Sequence, residues 1–131
     1  MVDRVAVIDG GKTCARLPLV AGEGEAFALV WPGMGARARS MHRISLGPGS
    51  ATVPMRHPME AVYYVIAGEG FVRDPDKGTS QSVIEGSMIH VEPGTAYVCV
   101  AGASGLELIG GPCPSDPDLY RHLINPPSES S

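Results

Sequence analysis

The stretch from Gly49 to Gly70 reads GSATVPMRHPMEAVYYVIAGEG. Glycines stand at both ends, and Pro54 and Pro58 interrupt the middle, so turns flank whatever regular structure it contains. Residues 61–67, AVYYVIA, are rich in valine and aromatic residues, which is typical of a strand. This run is apolar at both alternating positions. We therefore predict a central strand that is covered on both faces, by the opposite sheet and by further chain or a partner.

Short runs of the same kind recur on both sides of this stretch, separated by glycine and proline turns. The predicted strands are 27–31, 41–46, 81–84, 88–91, 96–100 and 106–109, and the predicted turns are 47–49, 68–70, 74–78, 85–86, 93–94 and 102–105. Helical periodicity is expected only around 117–123. Many short strands at this spacing, with almost no helix, predict an all-β sandwich or barrel.

Length and composition limit the classes of protein that this chain represents. Its 131 residues suit one domain, expected over 1–124, with a Pro- and Ser-rich tail at 125–131. The net charge of −4 argues against nucleic acid and anionic membranes as partners, which leaves small molecules. We find no apolar stretch that could span a bilayer and no signal sequence, and we expect a cytoplasmic protein. The cysteines at 14, 99 and 113 form no CxxC pair and are expected to be buried thiols.

Two blocks of the sequence resemble the cupin motifs. The first motif has a glycine, five residues, His-x-His, three or four residues, Glu, six residues and Gly, and residues 49–70 follow its glycine spacing. Residues 86–97, GSMIHVEPGTAY, are similar to the second motif, in which a glycine leads through Pro-x-Gly to a histidine. The resemblance implies a single-domain cupin-type jelly-roll β-barrel with a small-molecule pocket inside, and it implies a homodimer.

Family members bind a metal through the two histidines, the glutamate and the last histidine. In this chain Met55, His57, Ala61 and Tyr97 occupy those four positions, so only His57 is retained. We therefore predict a metal-free or weakly metal-binding cupin. The alternative is a divalent transition metal on His57, Glu60 and His90, in which a bulge turns Glu60 toward His57. His42 and Tyr97 are further substitute ligands.

Two main functions remain open. The first is a binding protein, whose predicted pocket residues are Met55, His57, Tyr63, Met88, Tyr97, Cys99 and His42. The second is a cupin enzyme of the isomerase, lyase or dioxygenase type, with His57, Tyr97 and Glu60 as catalytic residues. They act as metal ligands or, without a metal, His57 is the base and Tyr97 the acid.

Each of these residues also has a purely structural interpretation. His42 and His90 are then hydrogen-bonded core residues, and Glu60 forms an ion pair with Arg56 or His57. The tyrosines, methionines and Cys99 are packing residues. A third function, a sensor or accessory module, depends on arginines at 37, 39 and 43 sharing one strand face as a docking surface. The structural interpretation is that these arginines form an ordinary solvated face of the strand.

Overall fold

The computed structural model describes residues 5–10 and 14–124, and the predicted tail at 125–131 lies outside them. The strands are β1 (Ala15–Arg16), β2 (Val20–Ala21), β3 (Gly24–Val30), β4 (Met41–Leu46), β5 (Ala51–Thr52), β6 (Ala61–Asp74), β7 (Thr79–Ile84), β8 (Met88–Val91) and β9 (Val98–Pro112). Helical structure consists of 3₁₀ turns at Pro32–Met34 and Pro117–Tyr120 and a short helix, α1 (Arg121–Ile124). The all-β prediction is confirmed, as is the short helical segment near the C-terminus.

The strands form one curled antiparallel sheet with two long members at its centre. Strand β9 pairs with β4, β5 and β6, and β6 pairs in turn with β7 and β8. On the two sides of β9 the shorter strands extend the sheet, in the order β1-β3-β4-β9-β5-β2. Because β6 and β9 each contact several neighbours along their length, they hold the barrel together.

Side chains alternate between the barrel interior and the outside along the paired strands. In β4 the even positions His42, Ile44 and Leu46 are buried, as predicted. In β6 Tyr63 and Val65 are buried, and the outward-facing Tyr64 is 42% exposed. The prediction that β6 is central is correct, but its outer face is only partly covered by the described chain.

Two predicted turns are wrong, because β6 and β9 run through them. The turn expected at 68–70 lies inside β6, and the one expected at 102–105 lies inside β9. The pairing register shifts between Gly68 and Gly70, and a Cβ atom at Gly68 would collide with the carbonyl oxygen of Gly105. Glycine therefore lets the two long strands approach closely at this shift, where residues 102–105 of β9 bulge out between the pairs Gly68–Leu106 and Gly70–Ala101.

The predicted arginine face is not assembled. Of its three members Arg43 alone lies in β4, where it forms an ion pair with Glu107 of β9. Residues 37 and 39 belong to the irregular segment before the strand. The helices in the described part of the chain have three or four residues each, too few to cross a bilayer.

Candidate functional site

A chain of hydrogen bonds runs through the buried interior of the barrel. His57 Nδ1 lies 2.7 Å from Asp116 Oδ2, and His57 Nε2 lies 2.8 Å from the Tyr97 hydroxyl. The Tyr97 hydroxyl is 2.7 Å from that of Tyr63. All four residues are buried, with His57 3% exposed and Tyr97 2% exposed. Buried polar groups require partners, and this chain supplies one for each ring nitrogen and hydroxyl.

The local backbone places these side chains opposite one another. Met55 and Tyr97 form an isolated antiparallel bridge through both of their backbone groups. His57, two residues beyond Met55, accepts a hydrogen bond at its carbonyl from Gly94 N at 2.7 Å. The side chain of Arg56 donates to the Gly94 carbonyl at 2.6 Å. The segment that carries His57 is thus fixed to the segment that leads into β9.

The bonds of this chain can be satisfied in two directions. With a proton on His57 Nδ1 alone, Nδ1–H donates to Asp116 and Nε2 accepts from the Tyr97 hydroxyl, which accepts from Tyr63; with a proton on both ring nitrogens, Nε2–H donates to Tyr97, which donates to Tyr63. Burial raises the pKa of Tyr97 far above its usual range, and the neighbouring Tyr63 raises it further. Burial likewise raises the pKa of Tyr63, against the opposing effect of the bond to Tyr97. Both phenols therefore remain protonated and can serve as hydrogen-bond donors.

A second polar cluster lies in the same interior, around His42. Its Nε2 is 2.6 Å from the Tyr120 hydroxyl, whose ring packs on Trp31 with centroids 4.9 Å apart. Ser40 donates to the Pro112 carbonyl at 2.6 Å. His42 Nδ1 is buried without a hydrogen-bond partner in the described structure. Burial, and secondly the charge of nearby His57, lower the pKa of His42 to about 4, which keeps the imidazole neutral.

Both clusters are completed by the C-terminal strap, which we define as residues 113–124. Asp116 caps the 3₁₀ turn by accepting from Asp118 N through one carboxylate oxygen, and its other oxygen meets His57. Tyr120, at the end of that turn, reaches His42. Neither residue was predicted as part of a site. An acidic residue before a proline is a signal for a helix cap, and no sequence pattern relates Asp116 to a histidine 59 positions away.

A pocket of about 420 Å³ opens between the end of β6, strands β7 and β8, and the segment that leads to Tyr97. Val72, Val83 and Ile89 give it apolar walls, and Gln81 and Thr95 add polar groups. This volume lies within the range of small-molecule sites, and Arg73, Asp74 and Glu92 add charged groups to the lining. Of the residues predicted to line a pocket, Tyr97 and Met88 border this one, whereas Met55, His57, Tyr63, Cys99 and His42 are buried within the barrel.

The structure does not bring Glu60 and His90 to His57. Glu60 Oε1 is 2.7 Å from His90 Nε2, and both side chains are about half exposed on the outside of the barrel. His90 is therefore not a core residue, and the ion-pair partner of Glu60 is neither Arg56 nor His57. Met88 is also largely exposed, so it forms part of the pocket rim. The grouping of His57, Glu60 and His90 as metal ligands is wrong, because His57 points inward and the other two point outward.

The residues at the four metal-binding positions of the cupin motifs do not fit a tightly held metal. Met55, Ala61 and Tyr97 offer a thioether, a methyl group and a protonated phenol, and both nitrogens of His57 are already hydrogen-bonded. The described residues contain no cluster of three or more histidine, cysteine or carboxylate side chains suited to a metal. A metal at this position would have to displace Asp116 or Tyr97 from His57.

Burial also governs the cysteine beside this site. Cys99 is fully buried, and burial raises the pKa of its thiol to about 12. The buried state predicted for it is found, and its thiol is unreactive in the closed barrel. Cys14 and Cys113 are partly buried free thiols.

Comparison with known proteins shows similarity at the level of structure. The polyketide cyclase RemF from Streptomyces resistomycificus is 21% identical, with a TM-score of 0.68, over 96% of this chain and 95% of that one. An RmlC-like cupin from Shewanella frigidimarina is 20% identical, with a TM-score of 0.67, over 87% and 96%. A predicted oxalate decarboxylase from Thermotoga maritima is 25% identical, with a TM-score of 0.61, over 85% and 96%. No family model and no curated protein matches the sequence.

Proposed function

Because the chain has the cupin fold, we propose that it binds a small organic molecule in the pocket between β6, β7 and β8. The observation that carries this proposal is the position of Tyr97. This residue borders the pocket and also belongs to the buried hydrogen-bonded chain through His57. A ligand in the pocket therefore lies next to a polar network inside an otherwise apolar barrel, which is the usual design of a specific binding site.

The test is a screen of a fragment library by ligand-observed NMR, followed by calorimetry on the molecules that bind. The substitution Gln81→Trp places a large ring in the pocket and is expected to weaken their binding at least tenfold. Ser80→Trp, on the same exposed strand but outside the pocket lining, is the matched control and should leave affinity unchanged. Equal affinities in both variants would place the ligand elsewhere and overturn the proposal.

General acid–base catalysis is a second candidate, and the hydrogen-bonded chain favours it. The Tyr97 oxygen takes a proton from the bound molecule as Tyr97 passes its own proton to His57 Nε2, and Asp116 stabilises the imidazolium that forms. This sequence suits isomerisation, elimination or ring closure at a carbon next to a carbonyl. One protein of similar structure is named a polyketide cyclase, and ring closure belongs to this class of reactions. It matches this chain over nearly the full length of both proteins.

Hydrogen–deuterium exchange tests that candidate without knowledge of the substrate. Binding fragments that carry a C–H next to a carbonyl are incubated with the protein in D₂O, and loss of the proton signal is followed by NMR. We expect catalysed exchange in the original chain and none with His57→Gln. Exchange that persists at the same rate in the variant would exclude His57 as the base. Binding retained in that variant separates loss of chemistry from loss of the pocket.

Metal independence is a separate part of the proposal. It is supported by the donor set at the four positions of the cupin motifs, in which only His57 is a strong ligand. Elemental analysis of protein purified without chelator or a metal-affinity column should give well under one transition-metal ion per chain. A stoichiometric metal that survives purification would show that the barrel rearranges around an ion, and it would contradict this part.

A further inference from the structure

The C-terminal strap is attached to the barrel mainly through side chains. Its first residue, Cys113, donates a backbone hydrogen bond to the Glu60 carbonyl at 3.0 Å. Beyond Cys113, the hydrogen bonds from the described strap to the barrel come from Asp116, Tyr120 and His122. Since none of these bonds belongs to the sheet, the strap can detach without breaking any strand pairing.

Tyr120 occupies the barrel in the manner of a bound phenol. Its ring packs against Trp31 at a centroid distance of 4.9 Å, and its hydroxyl bonds His42 Nε2 at 2.6 Å. It is 1% exposed. Both partners belong to the barrel side of the contact, one preceding β4 and the other within it. The barrel therefore carries, independently of the strap, an aromatic wall and a hydrogen-bonding group at the spacing of a phenol.

The polarity of this contact distinguishes it from a simple hydrophobic plug. An apolar side chain would close the barrel without requiring a second buried histidine, and burial of a polar group costs free energy unless it is paired. His42 is nevertheless fully buried, and its Nδ1 is left without a partner in the described structure. The neutral imidazole that results can exchange a hydrogen bond with an uncharged hydroxyl. Such features suit recognition better than they suit packing.

We propose that Tyr120 is a self-ligand, which fills a binding position for a free hydroxylated aromatic molecule. The incoming ring stacks on Trp31, its hydroxyl takes the place of the Tyr120 hydroxyl on His42, and the strap is released. This position is distinct from the pocket beside Tyr97. His57 stands between the two, with Tyr97 on its Nε2 and the strap residue Asp116 on its Nδ1.

The test uses the full chain and 4-methylphenol, which reproduces the tyrosine side chain. At saturation we expect at least a tenfold increase in the rate of trypsin cleavage after Arg121, an exposed residue of the strap. Cleavage after Arg39, in the exposed segment before β4, is the internal control and should not change. Trp31 is the one tryptophan of the chain, so its fluorescence reports directly on replacement of the neighbouring ring.

A second probe and two variants make the outcome decisive. The probe 1,4-dimethylbenzene has nearly the same shape, with a methyl group in place of the hydroxyl, and it should bind at least tenfold more weakly than 4-methylphenol. Tyr120→Ala, which has no self-ligand to displace, should bind 4-methylphenol at least tenfold more tightly than the original chain. Gln81→Trp should leave 4-methylphenol affinity unchanged, which separates this site from the pocket of the proposed function.

Three results would overturn the self-ligand. The first is an unchanged cleavage rate at Arg121 up to the solubility limit of 4-methylphenol, which would show that Tyr120 is a fixed core residue. The second is equal acceleration at Arg39, which would show general unfolding. The third is equal binding of the two probes, which would show that the hydroxyl of the ligand does not bond His42.

Discussion

If the chain donates from Tyr63 through Tyr97 to His57, the hydroxyl of Tyr97 both donates and accepts a hydrogen bond, whereas that of Tyr63 only donates to its neighbour. Tyr97→Phe leaves the Tyr63 O–H and His57 Nε2 without partners in a buried site. Tyr63→Phe removes one donor and leaves a single unused lone pair on Tyr97. Since an unsatisfied buried donor or acceptor costs about 1–3 kcal/mol, we expect losses of about 3 kcal/mol for Tyr97→Phe and at most about 1 kcal/mol for Tyr63→Phe.

Urea unfolding of the two variants measures this difference. Their side chains lose the same single oxygen atom, so each serves as the volume control for the other. Equal losses of stability would contradict the direction of donation from Tyr63 through Tyr97 to His57.

His42 makes the stability of the fold depend on pH. Its pKa falls from 6.5 when exposed to about 4 in the barrel, so the unfolded chain binds a proton that the folded chain does not. Stability should therefore decrease as pH falls from about 6.5 toward 4, with a slope of at most about 1.4 kcal/mol per pH unit from this residue. Above pH 6.5 this contribution is fully present and constant.

Denaturation midpoints between pH 4 and pH 7 test that dependence. His42→Gln keeps a hydrogen-bonding side chain but does not titrate, and it should remove this part of the slope. His122→Gln, in the partly exposed end of the strap, should retain it. A slope that survives His42→Gln unchanged would assign the effect to other groups.

At the residue scale, part of the site could be predicted and part could not. His57 and Tyr97 follow from the cupin motif spacing, and the structure brings them together at 2.8 Å. Glu60 was misassigned because the motif gives no information on which face of the strand an adjacent residue occupies. Asp116 was missed for a different reason: its contact with His57 is a tertiary one between distant segments, and its local signal is that of a helix cap.

At the scale of elements, the short strands were predicted well and the long ones poorly. Strands β4 and β8 have the predicted bounds, because a glycine turn follows β4 and another precedes β8. In β6 and β9 the same turn residues, glycines, lie where the two paired strands approach closely at a shift in register. A glycine that ends a strand and a glycine that permits close approach look the same in a sequence, so continuity could not be predicted.

This close approach predicts a sharp difference between glycines. A Cβ atom at Gly70 would collide with the carbonyl oxygen of Val100, whereas one at Gly78, in the β6–β7 turn, would meet open space at a φ of 72°. Gly78→Ala should therefore cost about 1 kcal/mol, the strain of a left-handed alanine. Gly70→Ala must also displace backbone, and we expect about 3 kcal/mol, the upper end for overpacking.

Thermal or urea unfolding of the two alanine variants provides the comparison. Because the chemical change is the same, their difference isolates the close approach of β6 and β9 from the general effect of glycine replacement. Similar stabilities would mean that the two strands separate readily at this point, contrary to the close contact between Gly70 and Val100.

At the scale of the whole molecule, the barrel is closed from two sides by different means. Strand pairing forms the walls, and the pocket beside Tyr97 opens between β7 and β8, where pairing to β6 changes from one strand to the other. The opposite side of His57 is covered by side chains of the strap. The fold class followed from turn spacing and motif resemblance, but the strap and its two contacts depend on packing that no local pattern encodes.

The outer face of β6 and β8 predicts how the molecule assembles. Tyr64 and Met88 are directly paired across these strands and are 42% and 63% exposed. A strand that is apolar at both alternating positions is expected to be covered on both faces, and we propose that a second copy of the chain covers this one, since symmetric homodimers are the commonest assemblies. Light scattering after size exclusion should then give twice the mass of one chain.

Tyr64→Lys combined with Met88→Lys should give a monomer of unchanged fold, because two paired lysines on each copy would meet within the interface. Met34→Lys, at a residue that is 39% exposed in the turn after β3, is the control and should remain dimeric. A monomeric original chain would contradict the assembly, and a dimer that survives the double substitution would place the interface on another face.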